Sequence, residues 1–357
     1  MPMKHLLAHL VTGNTLSTEQ AVEAFELIMT GQATPAQTGA LLAMIEHRGA
    51  TIDEIVGAAT VMRDKVKCVT VPAGLRVIDT CGTGGDHAGT FNISTAAALV
   101  AAGAGKPQGI AVAKHGNRSV TSNSGSSQVL DTLGVKLQVT PDTLSRCLEE
   151  AGLCFCFAPS HHPAMKHAAP IRAELGFRTL FNVLGPLTNP AGATRQVIGV
   201  FATQMTKPIA NVLARLGADH AMVVHGQIPD DDGKHVDGLD ELSTCGPSQI
   251  SEVRDGKVKT YEIDPDDLGL SYSHPKALKV DSPERSAAVI RELLEGEVGP
   301  PRDIVMLNAA AALVVAELAE DLPEGLELAR ESIDSGAAKQ ALDRLVEITT
   351  ADPTPVG

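Results

Sequence analysis

Between residues 75 and 225 five short apolar runs alternate with stretches of helical period, and this alternation restricts the fold more than any other feature of the chain. The runs lie at 75–79, 110–113, 153–157, 196–202 and 221–225, each of strand length. A strand that is apolar on both faces must be covered on both. Helices placed between successive strands supply those layers as crossovers of a mostly parallel sheet. Residues 250–263 depart from the pattern, because two alternating segments flank Asp255-Gly256, a dipeptide suited to a two-residue hairpin turn. Amphipathic helices are expected from about 283 to 348, and no internal repeat occurs.

The first 66 residues contain no strand pattern and three helix starts of one kind. Ser17-Thr-Glu-Gln20 and Thr51-Ile-Asp-Glu54 read as capping boxes, and Thr34-Pro35-Ala-Gln37 adds proline at the first helical position. Gly31 and Gly49 stand where the first two of these helices should end. A small helical unit is therefore expected before the α/β part, and 357 residues suit about two units with a sizeable core.

Residues 80–95, TCGTGGDHAGTFNIST, join the first strand to an Ala-rich helix. Glycines let backbone N–H groups approach a ligand, and a helix start leaves its first N–H groups unpaired, so such a turn can cradle an anion. Asn92, Ser94 and Thr95 suit both helix capping and donation to a phosphate. The Walker pattern fails, since no Gly-Lys-Ser/Thr follows. The dinucleotide pattern G-x-G-x-x-G fits Gly82 and Gly84 but meets His87 at its third glycine. It also wants a carboxylate after the next strand, where Lys114 and His115 stand instead. By pattern alone, phosphate binding and a merely structural turn both stay open.

A second polar loop runs from Lys114 to Ser127, again between a strand end and a helix start, with Lys114, His115 and Arg118 adding positive charge. Two anion-suited loops after neighbouring strands favour one ligand with two phosphate groups, although any single Ser or Asn is better explained as a turn residue. A third element is Arg178-Thr-Leu-Phe-Asn-Val-Leu-Gly-Pro-Leu-Thr-Asn-Pro190, and a fourth is Gly238-Leu-Asp240-Glu241-Leu-Ser243. Adjacent carboxylates in a loop can hold Mg²⁺ directly and through waters, as a diphosphate substrate would require; alone, such a pair is more often a solvated surface.

Composition narrows the classes. With no Trp, two Tyr and a net charge of -14, the chain is poorly suited to stack bases or to follow a phosphate backbone, so nucleic-acid binding is not expected. Six cysteines without a C-x-x-C pair read as reduced, packed thiols, and Cys154 and Cys156 should share one face of a strand. The N-terminal apolar run is too short for a signal peptide, and Ile304–Ala316 is too short to span a membrane, so the cytoplasm is the expected location.

GTGGDHAGTFNIST, KHGNRSVTSNSGSS, HHPAMKH followed by IRAELGFRTLFNVLGPLTNP, and GLDELS occur in an order that resembles the anthranilate phosphoribosyltransferases over nearly the whole chain. The resemblance implies a fold similar to that of the pyrimidine nucleoside phosphorylases. A helical domain of residues 1–70 with about 161–189 would stand beside an α/β domain of 71–160 with 190–350. It further implies transfer of ribose 5-phosphate from phosphoribosyl diphosphate to the amine of anthranilate, with Mg²⁺ and with a homodimer formed through the helical domain. Phosphoribosyl diphosphate would meet Gly82, Thr83, Gly84, Gly85, Asp86, Asn92, Ser94, Thr95, Lys114 and Ser126. Anthranilate would meet His115, Asn117, His162, Arg172, Gly185 and Pro186. The metal would be held by Asp240 and Glu241 with Ser94, and no residue is assigned as a general base.

Two departures from that family stand out. His87 replaces a residue usually glycine, and the segment from Gly226 to Gly238 is longer and more acidic, its Asp230-Asp231-Asp232 reading as a solvated insertion. The competing readings are a nucleoside phosphorylase, whose phosphate signature KHGNRSVTSNSG does not match, and a non-catalytic nucleic-acid-binding relative, which should be basic. A type I phosphoribosyltransferase is disfavoured, since neither Asp230-Asp231 nor Asp266-Asp267 ends an apolar strand.

Overall fold

The computed structural model describes residues 2–117, 125–229 and 236–354. Arg118 and Asp230-Asp231-Asp232, singled out above, lie outside the described residues. Eight strands form one sheet: β1 (Arg76–Gly82), β2 (Ile110–Gly116), β3 (Leu153–Phe157), β4 (Arg195–Gly199), β5 (His220–Pro229), β6 (Val236–Leu239), β7 (Ser248–Arg254) and β8 (Lys257–Ile263). Their order is β3-β2-β1-β4-β5-β7-β8, with β6 on β5. The first five strands are parallel, and β6, β7 and β8 add antiparallel pairs.

The order explains the alternation in the sequence. Starting from β1 the chain builds outward through β2 and β3, then returns to the other side of β1 for β4 and β5. Successive strand residues face opposite sides, so Val197, Met222 and Val224 join one apolar core while Ile198, Ala221 and Val223 join another. The first core packs under α5 (Ile93–Gly105), α13 (Pro300–Val315), α14 (Leu322–Asp334) and α15 (Ala337–Thr350). Gly103 in α5 lets α15 come close: a Cβ there would lie 2.6 Å from the Ala338 backbone nitrogen.

The second core joins the opposite face to α11 (Thr206–Arg215) and the N-terminal helices. Those number four, where three starts were expected: α1 (Pro2–Val11), α2 (Thr18–Met29), α3 (Pro35–Arg48) and α4 (Ile52–Lys65). The additional helix, α1, begins without a capping box, which is why the cap-based reading passed over it. Ser17, Thr34 and Thr51 all form complete capping boxes, with Gln20, Gln37 and Glu54 reaching back. Gly31 and Gly49 follow their helices at φ of 72° and 86°. From mid-chain, α9 (Ala169–Leu175) packs on α3 and α10 (Phe181–Leu184) on α4, and the His167 ring fills the place a Gly31 side chain would need.

The Asp255-Gly256 turn has φ of 52° and 71°, both left-handed, as a two-residue hairpin of this kind requires. At the described ends of the long acidic segment, β5 continues to Pro229 and pairs antiparallel with β6, Gly226 opposite Leu239 and Pro229 opposite Val236.

Candidate functional site

In open parallel sheets, ligands bind beyond the carboxyl ends of strands at the point where strand order reverses. Here that point lies between β1 and β4, where Gly82 pairs with Gly199. The glycine turn follows β1 there, Lys114 and His115 end β2 alongside, and the Asp240-Glu241 loop closes over both. A Cβ on Gly199 would occupy the Asp240 backbone, and one on Gly82 would lie 2.9 Å from the Asp240 carboxyl carbon, so only glycine permits this approach.

The turn and the acidic loop are bonded to each other. Gly84 N–H donates to Asp240 Oδ2 at 2.7 Å, Ser94 N–H to Glu241 Oε1 at 3.1 Å, and Asp240 N–H to Asp86 Oδ2 at 3.3 Å. Asn308 of α13 grips Leu242 on both backbone groups at 2.9 Å, which fixes the loop from behind. Burial, with Asp86 and Glu241 close by, holds the Asp240 carboxyl well above the usual carboxylate range. Burial likewise pushes Glu241 up to about 7. Lys114 is buried, donates to the Thr80 carbonyl at 2.6 Å, and has its pKa lowered by that burial. Thr83 Oγ1 is buried without a hydrogen-bond partner among the described residues. Asn92 occupies the N-cap of α5, but its Oδ1 receives the Thr95 hydroxyl at 2.9 Å rather than a first-turn N–H.

Among the described residues no three His, Cys, Asp or Glu side chains form a ready-made metal cluster. Asp240, Glu241 and nearby Asp86 are instead hard oxygen donors whose crowded negative charge is under-compensated. That set fits a divalent ion which keeps waters and shares a phosphate ligand.

Beside this lies a histidine pair. His115 Nδ1 faces the Gly185 carbonyl at 3.0 Å, and its Nε2 lies 3.1 Å from His162 Nε2. A carbonyl only accepts, so His115 carries its proton on Nδ1 and accepts from His162 Nε2–H. Burial lowers both pKa values, His115 to about 3 and His162 to about 4, so both rings are neutral at pH 7. Asn117 accepts at its carbonyl from Ser126 Oγ at 3.4 Å, which joins those two positions, and the Pro186 carbonyl receives Gln196 Nε2 at 2.9 Å. Arg172 donates to Asn182 Oδ1 at 3.3 Å and lies over the Phe181 ring, both residues of α10. It is the fourth of the seven residues of α9 and falls in that helix's last turn.

Three supporting residues escaped the motif reading. Asp79, fully buried, accepts from His115 N–H at 3.1 Å and from Asn189 Nδ2 at 2.8 Å, and Asn189 also bonds the Ala113 carbonyl. Arg178 contacts the glycine turn. The available signal was a lone carboxylate in an apolar strand for Asp79, and membership of the 178–190 motif for the other two.

A parallel sheet with an anion-suited turn at its switch point, joined to a helical bundle, defines a class, and family models agree: residues 4–66 match the helical bundle domain of a glycosyl transferase family and residues 74–339 its a/b domain. The chain is 48% identical over 348 residues to an anthranilate phosphoribosyltransferase of Rhodopseudomonas palustris (strain BisB5), covering 98% of each. Its fold is similar to the crystal structure of anthranilate phosphoribosyltransferase from Thermus thermophilus, with TM-score 0.87, 42% identity and 97% and 99% of the two chains covered. The Saccharomyces cerevisiae enzyme in complex with PRPP and Mg gives TM-score 0.84 at 26% identity, covering 98% of each chain. The same yeast enzyme in complex with 4-fluoroanthranilate gives 0.81 at 25%, covering 98% and 99%. The chain belongs to the anthranilate phosphoribosyltransferase family.

Proposed function

We propose that this protein transfers the 5-phosphoribosyl group of phosphoribosyl diphosphate to the amine of anthranilate, giving N-(5-phosphoribosyl)anthranilate and diphosphate in tryptophan biosynthesis. The observation that carries the reading is the juxtaposition at the switch point. Glycine-turn N–H groups, the Thr83 hydroxyl, which has no partner among the described residues, Lys114 and the Asp240-Glu241 loop lie next to the neutral His115–His162 pair.

Residues 82–86, with Asn92, Ser94, Thr95, Lys114 and Ser126, would hold phosphoribosyl diphosphate. His115, Asn117, His162, Arg172, Gly185 and Pro186 would line the acceptor side. Asp240 and Glu241, with Ser94, would hold Mg²⁺, which would supply charge neutralisation for the leaving diphosphate. Breaking the anomeric C–O bond leaves positive charge on the ribose and negative charge on diphosphate, so Lys114 and the turn's N–H groups act where charge develops. Neutral histidines with their facing nitrogens tied up are poor bases. The aromatic amine sheds its proton once bonded to carbon, and holding it in place supplies the rest.

Residues 1–70 with about 161–189 would form one domain and the remainder the other, as the shared packing of α9 on α3 and α10 on α4 supports. A homodimer through the helices and a cytoplasmic location complete the proposal; six unpaired cysteines suit the latter. Among the described residues no helix is long and apolar enough to cross a membrane. A nucleoside phosphorylase or a nucleic-acid-binding role fits less well with the acidic charge and the half-buried Asp240-Glu241 loop.

The test mixes protein, phosphoribosyl diphosphate, Mg²⁺ and anthranilate, and follows loss of anthranilate fluorescence and release of diphosphate. The Asp240→Asn, Glu241→Gln double variant should lose Mg²⁺-dependent turnover with its circular dichroism unchanged. No turnover by the unaltered protein would reject the activity, and an unaltered Mg²⁺ response in the variant would remove this loop from the metal site.

A further inference from the structure

Arg178 stands between α9 and α10 yet reaches the glycine turn. It donates from Nη2 to the Gly84 carbonyl at 3.2 Å and from Nη1 to the Gly85 carbonyl at 3.3 Å, and its guanidinium stacks 3.6 Å from the Phe201 ring centroid. Gly84 and Gly85 have φ of 68° and 79°, in the left-handed region, and a Cβ on Gly85 would lie 3.0 Å from Arg178 Cζ. The cation also feels Glu46 from α3, and Asp86 and Asp240 from the glycine turn and acidic loop. It thus spans the seam between the N-terminal helices and the sheet.

A planar trans peptide points its N–H opposite to its C=O. With the Gly84 and Gly85 carbonyls turned to the guanidinium, the N–H groups of Gly85 and Asp86 face away from it, and among the described residues neither has a hydrogen-bond partner. We propose that Arg178 is a positioning residue that sets the orientation of these two peptides, so that their N–H groups are presented to the diphosphate of the donor substrate. The inference rests on the reading of the turn as the diphosphate site. A bland packing role would need only the Phe201 stack; the two carbonyl contacts require a fork. A lysine ammonium cannot meet both carbonyls while lying flat on a ring.

The experiment titrates Mg²⁺-diphosphate and anthranilate separately into the full protein by calorimetry, and measures turnover, for the unaltered chain and for Arg178→Lys, Arg178→Ala and Phe201→Leu. Both Arg178 variants should bind diphosphate about ten- to a hundredfold more weakly while anthranilate affinity changes by less than about threefold. Methylguanidinium should restore part of the loss in Arg178→Ala, and Phe201→Leu should fall between, which decides the matter if Arg178→Ala does not fold. Unchanged diphosphate affinity, or equal loss of both ligands, overturns the proposal. An unaltered protein that binds diphosphate in an Arg178-dependent way but does not consume phosphoribosyl diphosphate with anthranilate would instead reject the proposed activity alone.

Discussion

Arg172 shows how a single side chain can be judged by what it lacks. It is half-buried, lies over Phe181, bonds the neutral Asn182, and pairs with no carboxylate among the described residues. A partly desolvated guanidinium without a counter-ion is suited to a carboxylate ligand, where a charge-assisted contact contributes about 1.5 to 3 kcal/mol. Arg172→Ala should therefore weaken anthranilate binding about ten- to a hundredfold while phosphoribosyl diphosphate binding changes much less. Calorimetric titration of each ligand checks the split, and equal losses would reject an acceptor-specific role. The histidine pair makes a prediction about pH. Folding lowers His115 from 6.5 to about 3 and His162 from 6.5 to about 4, so below about pH 6.5 the unfolded chain binds protons that the folded one refuses. Depressed basic groups thus cost stability as pH falls: it is fully retained above pH 6.5 and declines progressively towards pH 4 and below. Urea unfolding of His162→Asn should show a shallower decline between pH 6.5 and 4 than the unaltered protein; parallel curves would mean the pair is not buried neutral.

Among the elements, α4 depends on one side chain to a degree its capping box did not suggest. Glu54 is fully buried, and its carboxylate accepts from its own cap, Thr51 N–H at 2.8 Å, from Leu16 N–H at 3.0 Å, and from Arg48 Nη2 at 2.6 Å. One residue therefore satisfies the start of α4, the end of α3 and the entry to α2. Removing it strands two backbone donors and a partly exposed cation, so Glu54→Ala should cost about 3 kcal/mol, somewhat below a fully buried ion pair. Glu54→Gln, which keeps an acceptor oxygen, should cost less. Chemical denaturation of the two variants measures the difference, and a loss under about 1 kcal/mol for alanine would show that the three contacts are not held in solution.

Across the whole chain, the sheet separates two apolar cores, and the one on the side of the N-terminal helices is the smaller. Leu7, Val22, Leu27, Met44 and Ile52 are only partly covered, and Val11 is 73% exposed. Four short helices bury too little to be self-sufficient, so a second copy is expected to cover them. Light scattering from nanomolar to micromolar concentration should report a dimer, and Leu7→Glu with Val11→Glu should shift it towards monomer. A strict monomer at micromolar concentration would refute dimerisation through these helices.

Much of this was written in local sequence. Capping boxes, the Asp255-Gly256 turn and the alternation of apolar runs depend on neighbours a few residues apart, so Ser17, Thr34 and Thr51 sit where their side-chain chemistry places them. The order of motifs was enough to name the family, and the glycine turn and Asp240-Glu241 were visible as groups. Which strands lie side by side is set by long-range packing, and only that brings residue 240 onto Gly199 and Gly82. The same holds for Asp79, whose carboxylate could be read as an oddity in a strand until β2 placed His115 N–H beside it and residue 189 arrived from another loop. The tautomers of His115 and His162 follow from a Gly185 carbonyl 70 residues away. Local propensity cannot encode such partners, because a hydrogen bond has no preference for sequence distance; the packing of the two cores against one sheet decides which groups come within 3 Å.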